Sequence, residues 1–573
     1  MIHKSFLIFL LITISSKFSS AQTDTSKLKN IMPITGILGI TGSFGEIRTD
    51  HFHSGVDLRT DNKIGKELRA TNNGFISRIN ISPVGFGKAV FVDHPNGLTT
   101  VYAHLDRYSD QINNYAKKIQ YQLKLFKIDA FPKPTDIPIK KGDLLGYSGN
   151  SGSSGGPHLH YEVRTSTDQR PINPIPNFLN VIDSISPIIK SLHIYRLDSS
   201  SYANGYSRKI DIIVFKNRNE YLINSKINAS GKIGIGIDAM DRINSLSTQC
   251  GFKSIKLTVN NSIIYNLTLD KFSFAESRYV NSIIDYATRI TSGKEIVRLF
   301  VDPCNFFSGL HNIYNKGIIT VKPDSIYKIV IQVADASNNT SKLSFTINGI
   351  NPPAKPETTG IKKGNTLLLS CMMDNTIIND TFVLQIPKYS FYNNLYFTHQ
   401  CFESPKYTYS SLIRLQNIRT PLHQKIKLEI KSKNIPAKYH SKALFATFDA
   451  SQKIVSADGE WKNGSVSGTI NKLGDYFITL DTIAPEILPV NIRSNMVSSL
   501  GIQALVKDDF SGIKEINGYI DGSWVLFDFD QKNNLIFYQF DEERLVKNKN
   551  HHLEIVVKDG KDNENRYSYD FFW

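Results

Sequence analysis

Through residues 31 to 108, apolar side chains recur at every second position in short runs broken by glycine, as in "ATNNGFISRI" and "GKAVFVDHPNGLTTVYAHL". A period of two is the signature of strands with one buried face. The "HPNG" between two such runs marks a hairpin. At residues 109–128, "SDQINNYAKKIQYQLKLFKI", the period changes. Ile112, Tyr115, Ile119, Leu123 and Phe126 recur at three and four residues, which predicts an amphipathic helix. Lys117, Lys118, Lys124 and Lys127 fall on its other face, and "AFPKPTDIP" ends it. Alternation then returns in "DLLGYSGN" and "HLHYEVR".

A proline-rich stretch, "RPINPIPNF" followed by "SISPIIKSL", marks a boundary near residue 180. Beyond it the chain is strands and Asn-rich turns, with an internal echo. "ISPIIKSLHIY" and "IAPEILPVNI" open two segments. "GIDAMDRI" and "VKDDFSGI" sit within them, and "YKIVIQVADASNNTSKLSFTI" and "HLEIVVKDGKDNENRYSYDFFW" close them. Both resemble bacterial immunoglobulin-like β-sandwiches. A chain of 573 residues exceeds one hydrophobic core. The expected organisation is mainly β. A small β-rich domain over 22–180, with a helical insertion at 109–141, precedes immunoglobulin-like sandwiches over 181–350 and 483–573. Between them, 351–482 is a β-rich region of no assigned fold, entered through the linker "PPAKPETTG".

Composition adds the compartment. A lysine precedes the nine-residue apolar run Phe6 to Ile14, and Ser19-Ser20-Ala21 offers a small-residue cleavage site. Residues 1–21 therefore read as a secretory signal peptide, too short to span a bilayer. The mature protein is expected to be exported, periplasmic or secreted, with no integral membrane segment. A formal charge of +15 suits anionic partners such as cell-wall glycan or lipid headgroups. Without a basic run or RNA-binding signature, nucleic acid is not an expected partner. Four cysteines in an oxidising compartment permit disulfides, and pairing neighbours in sequence gives Cys250–Cys304 and Cys371–Cys401.

The candidate chemistry begins at "HFHSGVDL", residues 51–58. His53 and Asp57 are four apart and could share one ion. Zinc accepts both ligand types, and a hydrolytic zinc site uses three protein ligands with a position left for water. The missing partner is to be sought in "GGPHLHYEVR", where alternation turns His158 and His160 to one face and Leu159, Tyr161 and Val163 to the other. His104 is a further candidate. Alternation groups it with Thr100 and Tyr102, and sets Val101, Ala103 and Leu105 opposite.

Taken in order, "HSGVD", "TVYAHL" and "GYSGNSGSSGGPHLHYE" closely resemble the lysostaphin/LytM-type zinc endopeptidases that cut peptidoglycan peptides. The resemblance covers roughly residues 35–176. It implies zinc held by His53, Asp57 and His160, with His104 and His158 acting on the reaction. Which of the two histidines of H-x-H is the ligand comes from the family alone. With every position filled, the chain is unlike the members that lost ligands and became amidase activators. The insertion at 109–141 departs from the usual short link and resembles one in Bacteroidota-type members. The expected function is hydrolysis of peptidoglycan peptide cross-links. The alternatives are a non-catalytic wall-binding or amidase-activating protein, and a protease for a glycine-rich protein substrate. No H-E-x-x-H is present to supply a Glu base. His51 and Glu162 read first as surface residues, with orientation of a ligand as the other role for Glu162. The segment 149–156, "GNSGSSGG", lacks the lysine of a phosphate loop and reads as a rim of the groove.

Overall fold

The computed structural model describes residues 31–573 apart from 37–38, 219, 244–247, 356–365, 404–405 and 407. The signal peptide and much of the linker lie outside the described residues. Among those described, no helix is long and apolar enough to cross a membrane.

The protein is mostly β. Its front part is one sheet built from β1 (Ile40–Gly42), β2 (Val56–Arg59), β3 (Glu67–Arg69), β4 (Gly74–Ile81), β5 (Lys88–Asp93) and β6 (Leu98–Tyr108). Helix α1 (Asp110–Leu123) follows, then β7 (Ile128–Ala130), β8 (Pro138–Ile139), β9 (Leu144–Ser148), β10 (His158–Thr165) and β11 (Pro171–Ile172). The central order is β1-β2-β10-β6-β5-β4-β7. Strand β10 therefore lies between β2 and β6, antiparallel to both, with His160 opposite Asp57 on one side and Ala103 on the other. Leu159, Tyr161 and Val163 are fully buried in the main core with Leu58 and Tyr102. Alternation then turns His158, His160, Glu162 and Arg164 to the opposite face, the one that carries the chemistry.

Helix α1 forms where the period changes, but it stops at Leu123 rather than running to residue 128. Lys124 takes a left-handed conformation (φ 52°) and its N–H caps the Gln120 carbonyl. Ile112, Ala116 and Gln120 are the buried positions. Gln120 is tolerated there because its side-chain amide donates to the Phe126 carbonyl at 2.7 Å. Tyr115, Ile119 and Phe126 pack on the core edge, whereas Leu123, expected in the stripe, is 57% exposed. The cause is the early stop, which leaves Leu123 in the last turn with nothing beyond to cover it.

Behind the front sheet, strands between Ile188 and Gly349 form a second sheet system. Residues 366–480 form a six-stranded and a five-stranded sheet over one core, and 486–572 two four-stranded sheets over another. The disulfide is Cys304–Cys371, and Cys250 and Cys401 are free, which overturns both expected pairs. Sequence neighbourhood misled here because the bond ties the second sheet system to the start of the third, across the linker.

The last sandwich folds back onto α1. Tyr121 meets Trp524 edge to face at 5.3 Å, the Arg544 guanidinium lies 3.6 Å from the Tyr121 ring centre, and Lys117 Nζ pairs with Asp541 at 2.6 Å. The insertion thus packs on its own domain and on the most distant sandwich, and Lys117 is engaged there rather than free for substrate. Lys117→Glu should weaken this docking by roughly 0.5–1 kcal/mol, a partly exposed pair being worth no more. Adding Asp541→Lys should restore it. Hydrogen exchange over 110–123 reads both, and equal protection in the single variant would show that the pair contributes nothing.

Candidate metal centre

The segment preceding β2 approaches β10 closely. A Cβ on Gly55 would lie 2.5 Å from the Tyr161 carbonyl and 3.1 Å from His160 Cε1, so only glycine fits between His53 and Asp57. That approach, with the His160–Asp57 register, brings three ligand atoms together. Asp57 Oδ1 is 3.1 Å from His53 Nε2 and 3.0 Å from His160 Nδ1, and the two nitrogens are 3.0 Å apart. All three residues are less than a tenth exposed. Ligand atoms on a tetrahedral zinc with bonds of about 2.0–2.1 Å stand roughly 3.3 Å apart, so this triangle is of the right size.

The opposite ring nitrogens are fixed. His53 Nδ1 lies 2.8 Å from the Ser43 carbonyl, and His160 Nε2 lies 2.8 Å from Glu162 Oε1. Each imidazole thus donates outward, which leaves Nε2 of His53 and Nδ1 of His160 as inward lone pairs. Glu162 is fully buried and also accepts from Ser54 Oγ at 2.7 Å and Arg164 Nε at 2.5 Å. Arg48 Nη2 donates to Asp57 Oδ2 at 3.0 Å. Donor set, spacing and outer bonds all fit a zinc ion.

Two further histidines border the triangle. His158 Nε2 is 3.4 Å from Asp57 Oδ1, and its Nδ1 is 2.8 Å from the Gly156 carbonyl. His104 Nδ1 is 2.9 Å from the Ser151 carbonyl, and its ring centre is 4.8 Å from that of His158 and 5.8 Å from that of His160. The rim segment 149–156 therefore supplies the carbonyls that set both rings. Lys532 of the last sandwich in turn grips that rim, donating to the Asn150 carbonyl and, at 3.1 Å, to the Ser154 carbonyl.

Charge follows placement. Burial would raise the Asp57 carboxyl, but His53, His158 and His160 outweigh it and hold it well below its ordinary value. Burial would lower His160, but its bonds to Asp57 and Glu162 bring it up to about 9. Glu162, despite its burial, is held down to about 2 by Arg164 and His160. His104 is pushed down to about 3 by burial, then by His160 and His158. A metal at Nδ1 would displace the His160 proton, while His104 beside it stays neutral with its proton on Nδ1.

All five singled-out residues meet here, but His104 does not arrive by alternation. Tyr102 and Leu105 both enter the main core, while Val101 and Ala103 sit in a small apolar patch on the other face. A β-bulge opposite Lys88–Val90 inserts the extra residue, and His104 takes φ 63° within it. Histidine tolerates that conformation better than most residues, and the bulge delivers it to the face of His160. Glu162, read first as a surface residue, is buried against His160. His51 is exposed and its ring bonds the nearby Thr49 carbonyl. Arg48, Ser54 and Arg164 were missed, although Arg164 continues the alternation of His158, His160 and Glu162.

Glu162→Gln should lower zinc affinity about 10–100-fold, the usual effect of losing a carboxylate behind a metal-binding histidine. It also leaves Arg164 buried without its counter-charge, which should cost about 3–5 kcal/mol. Zinc competition titration and thermal unfolding read the two effects, and parent-like zinc affinity would remove Glu162 from the centre.

Comparison with known proteins places the front of the chain. Residues 51–121 match the model of Peptidase family M23, and residues 366–481 that of a Zu5-like domain. The M23 match takes in His53, Asp57 and His104, while His158 and His160 lie beyond it. Over 129 residues the chain is 30% identical to DD-carboxypeptidase/endopeptidase Mpg of Neisseria meningitidis serogroup B, covering 22% of this chain and 23% of that one. Over 123 residues it is 29% identical to an uncharacterized metalloprotease of Haemophilus influenzae, covering 22% of this chain and 20% of that one. The chain thus spans less than a quarter of the length of these curated relatives. Among solved structures, the catalytic domain of the antimicrobial peptidase lysostaphin from Staphylococcus simulans is 21% identical, with 24% of this chain and 90% of that one covered at a TM-score of 0.19. The catalytic domain of the prophage-encoded M23 protein EnpA from Enterococcus faecalis is 24% identical, with 25% and 93% covered at a TM-score of 0.19.

Proposed function

We propose that this chain, whose front part is a Peptidase M23 domain, is an exported zinc-dependent endopeptidase that hydrolyses the peptide cross-links of peptidoglycan. The observation that carries the reading is the convergence of His53, Asp57 and His160 ligand atoms within 4.8 Å of one another. The rings of His104 and His158 stand beside them. The name of the Neisseria relative, a carboxypeptidase and endopeptidase, supports peptide-bond hydrolysis. The basic charge supports an anionic wall polymer as the setting.

Zinc held by these three residues would polarise the scissile carbonyl and lower the pKa of a bound water toward about 7. The chain's own groups then handle protons. His104, neutral and with its proton directed at the Ser151 carbonyl, offers Nε2 as a proton acceptor. His158 holds its Nδ1 proton on the Gly156 carbonyl and turns Nε2 toward Asp57. With a proton on Nε2 as well, it can stabilise developing negative charge or pass that proton to the leaving amine. Glu162 and Ser43 keep the ligand rings from rotating, and Lys532 steadies the rim that orients His104 and His158.

The test is digestion of purified sacculi by the full chain, with products identified by mass spectrometry. New peptide termini that vanish on chelation and return with zinc are the expected result. Zinc retention without any cleavage would replace the reading with a wall-binding or amidase-activating role. Preferential cleavage of glycine-rich proteins would move the substrate off the wall.

A further inference from the structure

The echo between the two outer β segments carries chemistry of its own. Asp183 in "DSISP" corresponds to Asp481 in "DTIAP", Asp241 in "DAMDRI" to Asp508 in "KDDFSGI", and Asp335 in "ADASNN" to Asp559 in "KDGKDN". Each set comes together in space, with one carboxylate oxygen from each residue within 4.8 Å of the others. The supporting bonds repeat as well. Asn339 Nδ2 donates to the Asp183 carbonyl at 3.2 Å and to Asp335 Oδ2 at 2.9 Å. Asn563 Nδ2 donates to the Asp481 carbonyl at 3.0 Å and to Asp559 Oδ2 at 2.6 Å.

Buried acid clusters need compensation, and none of the six aspartates is in an ion pair among the described residues. Asp241, Asp335, Asp481 and Asp559 are at most 3% exposed. An independent sign of a missing ligand lies in the first set. Asp241 Oδ1 is buried without any hydrogen-bond partner. Beside it is a cavity of about 10 Å³, lined by Asp183, Asp241 and Ser337 together with Ser43 and Phe44 of the front domain. That is room for one water-sized or ion-sized occupant. Burial, then Asp335 and Asp183, drives Asp241 up to about 8, as expected where like charges meet without a cation.

We propose that Asp183, Asp241 and Asp335 form one calcium site and Asp481, Asp508 and Asp559 a second, each locking the joint at which a β-sandwich is entered. The donors are all hard oxygens with no histidine or cysteine among them, which selects against zinc. Three carboxylates without a set octahedral arrangement suit calcium better than magnesium, which demands a near-ideal octahedron. The positions explain the purpose. Asp183 lies between β11 and the first strand of the next sheet system, Ile188–Arg196. Asp241 exchanges backbone hydrogen bonds with Cys250, and the adjoining Gly251 N–H donates to Ser43 Oγ at 2.8 Å. Ser43 is the residue whose carbonyl orients His53. Asp481 likewise follows the strand Gly474–Leu480 and accepts from the Ser511 N–H at 3.2 Å, so it ties the third unit to the last. Filling both sites would hold the chain of units in the arrangement that presses Lys532 against the active-site rim.

This inference does not rest on the peptidase reading, and its test keeps the two apart. The full chain, stripped of calcium and kept with zinc, is titrated with calcium by equilibrium dialysis up to about 10 mM, above the ~10⁻⁴–10⁻³ M of extracellular calcium modules. Two calcium ions per chain are expected, falling to one in Asp241→Asn, one in Asp559→Asn and none in the double variant, with zinc content unchanged throughout. Calcium should raise the thermal midpoint of the parent by several degrees and leave the double variant unmoved. Asparagine keeps the volume and removes like-charge repulsion, so the calcium-free variants should fold. Asp183→Asn, at a half-buried member, gives a second route to emptying the first site. No calcium bound by the parent, or undiminished binding in the variants, would overturn the proposal and leave clusters that share protons.

Discussion

Asp57→Ala should abolish zinc retention, from about one ion per chain to none, and all hydrolysis with it. Asp57 Oδ1 stands 3.1 Å from His53 Nε2 and 3.0 Å from His160 Nδ1, the two proposed ligand nitrogens. Removing it leaves two imidazoles for an ion that needs at least three protein ligands to stay in a hydrolytic site. It also takes from Arg48 its partner Asp57 Oδ2 at 3.0 Å, leaving the guanidinium to Glu46 alone at 3.3 Å. Asp57→Asn separates the two effects, because it keeps the shape and loses the charge. Elemental analysis after dialysis reads the metal, and circular dichroism reads the fold. A folded Asp57→Ala protein with full zinc occupancy would take Asp57 out of the ligand set.

His104→Ala and His158→Ala should behave in the opposite way, keeping zinc and losing turnover by about 10²–10⁴, the range of a positioned acid–base group. His104 hydrogen-bonds the rim carbonyl of Ser151 and meets His160 only ring to ring, and His158 Nε2 stands 3.4 Å from Asp57 Oδ1. Neither contact is needed to hold an ion already bound by three residues. The two variants also differ from each other. His104 sits at φ 63°, so alanine there is strained, whereas His158 lies in a regular strand. The His104 variant should therefore lose some stability as well as rate. Loss of metal in either variant would exchange a ligand for a reacting group.

Much of this centre is legible in the sequence. Alternation in "HLHYEVR" sorted β10 into a core face and a polar face, and the buried Leu159, Tyr161 and Val163 follow it. The period change at residue 109 located α1. Both are local rules, since they depend on which side chains can share one side of a strand or a helix. Glu162 was the partial failure. Its position on the face of His158 and His160 was legible, but its burial was not, because burial depends on Ser54 and Arg164 closing over it.

The sequence by itself determined the element types, the polar face of β10 and the short spacing that sets Asp57 four residues from His53. The first two follow from the pitch of a strand or helix over a few residues. The tertiary structure alone decided the rest. The bulge that carries His104 across the sheet exists because β5 offers one residue fewer than β6 at that point, which only pairing reveals. The Cys304–Cys371 bond, the grip of Lys532 on the rim and the two aspartate triads each join residues between 27 and 382 positions apart. No period or motif encodes such distances. They are set by which faces must be buried together once every strand has found its neighbour.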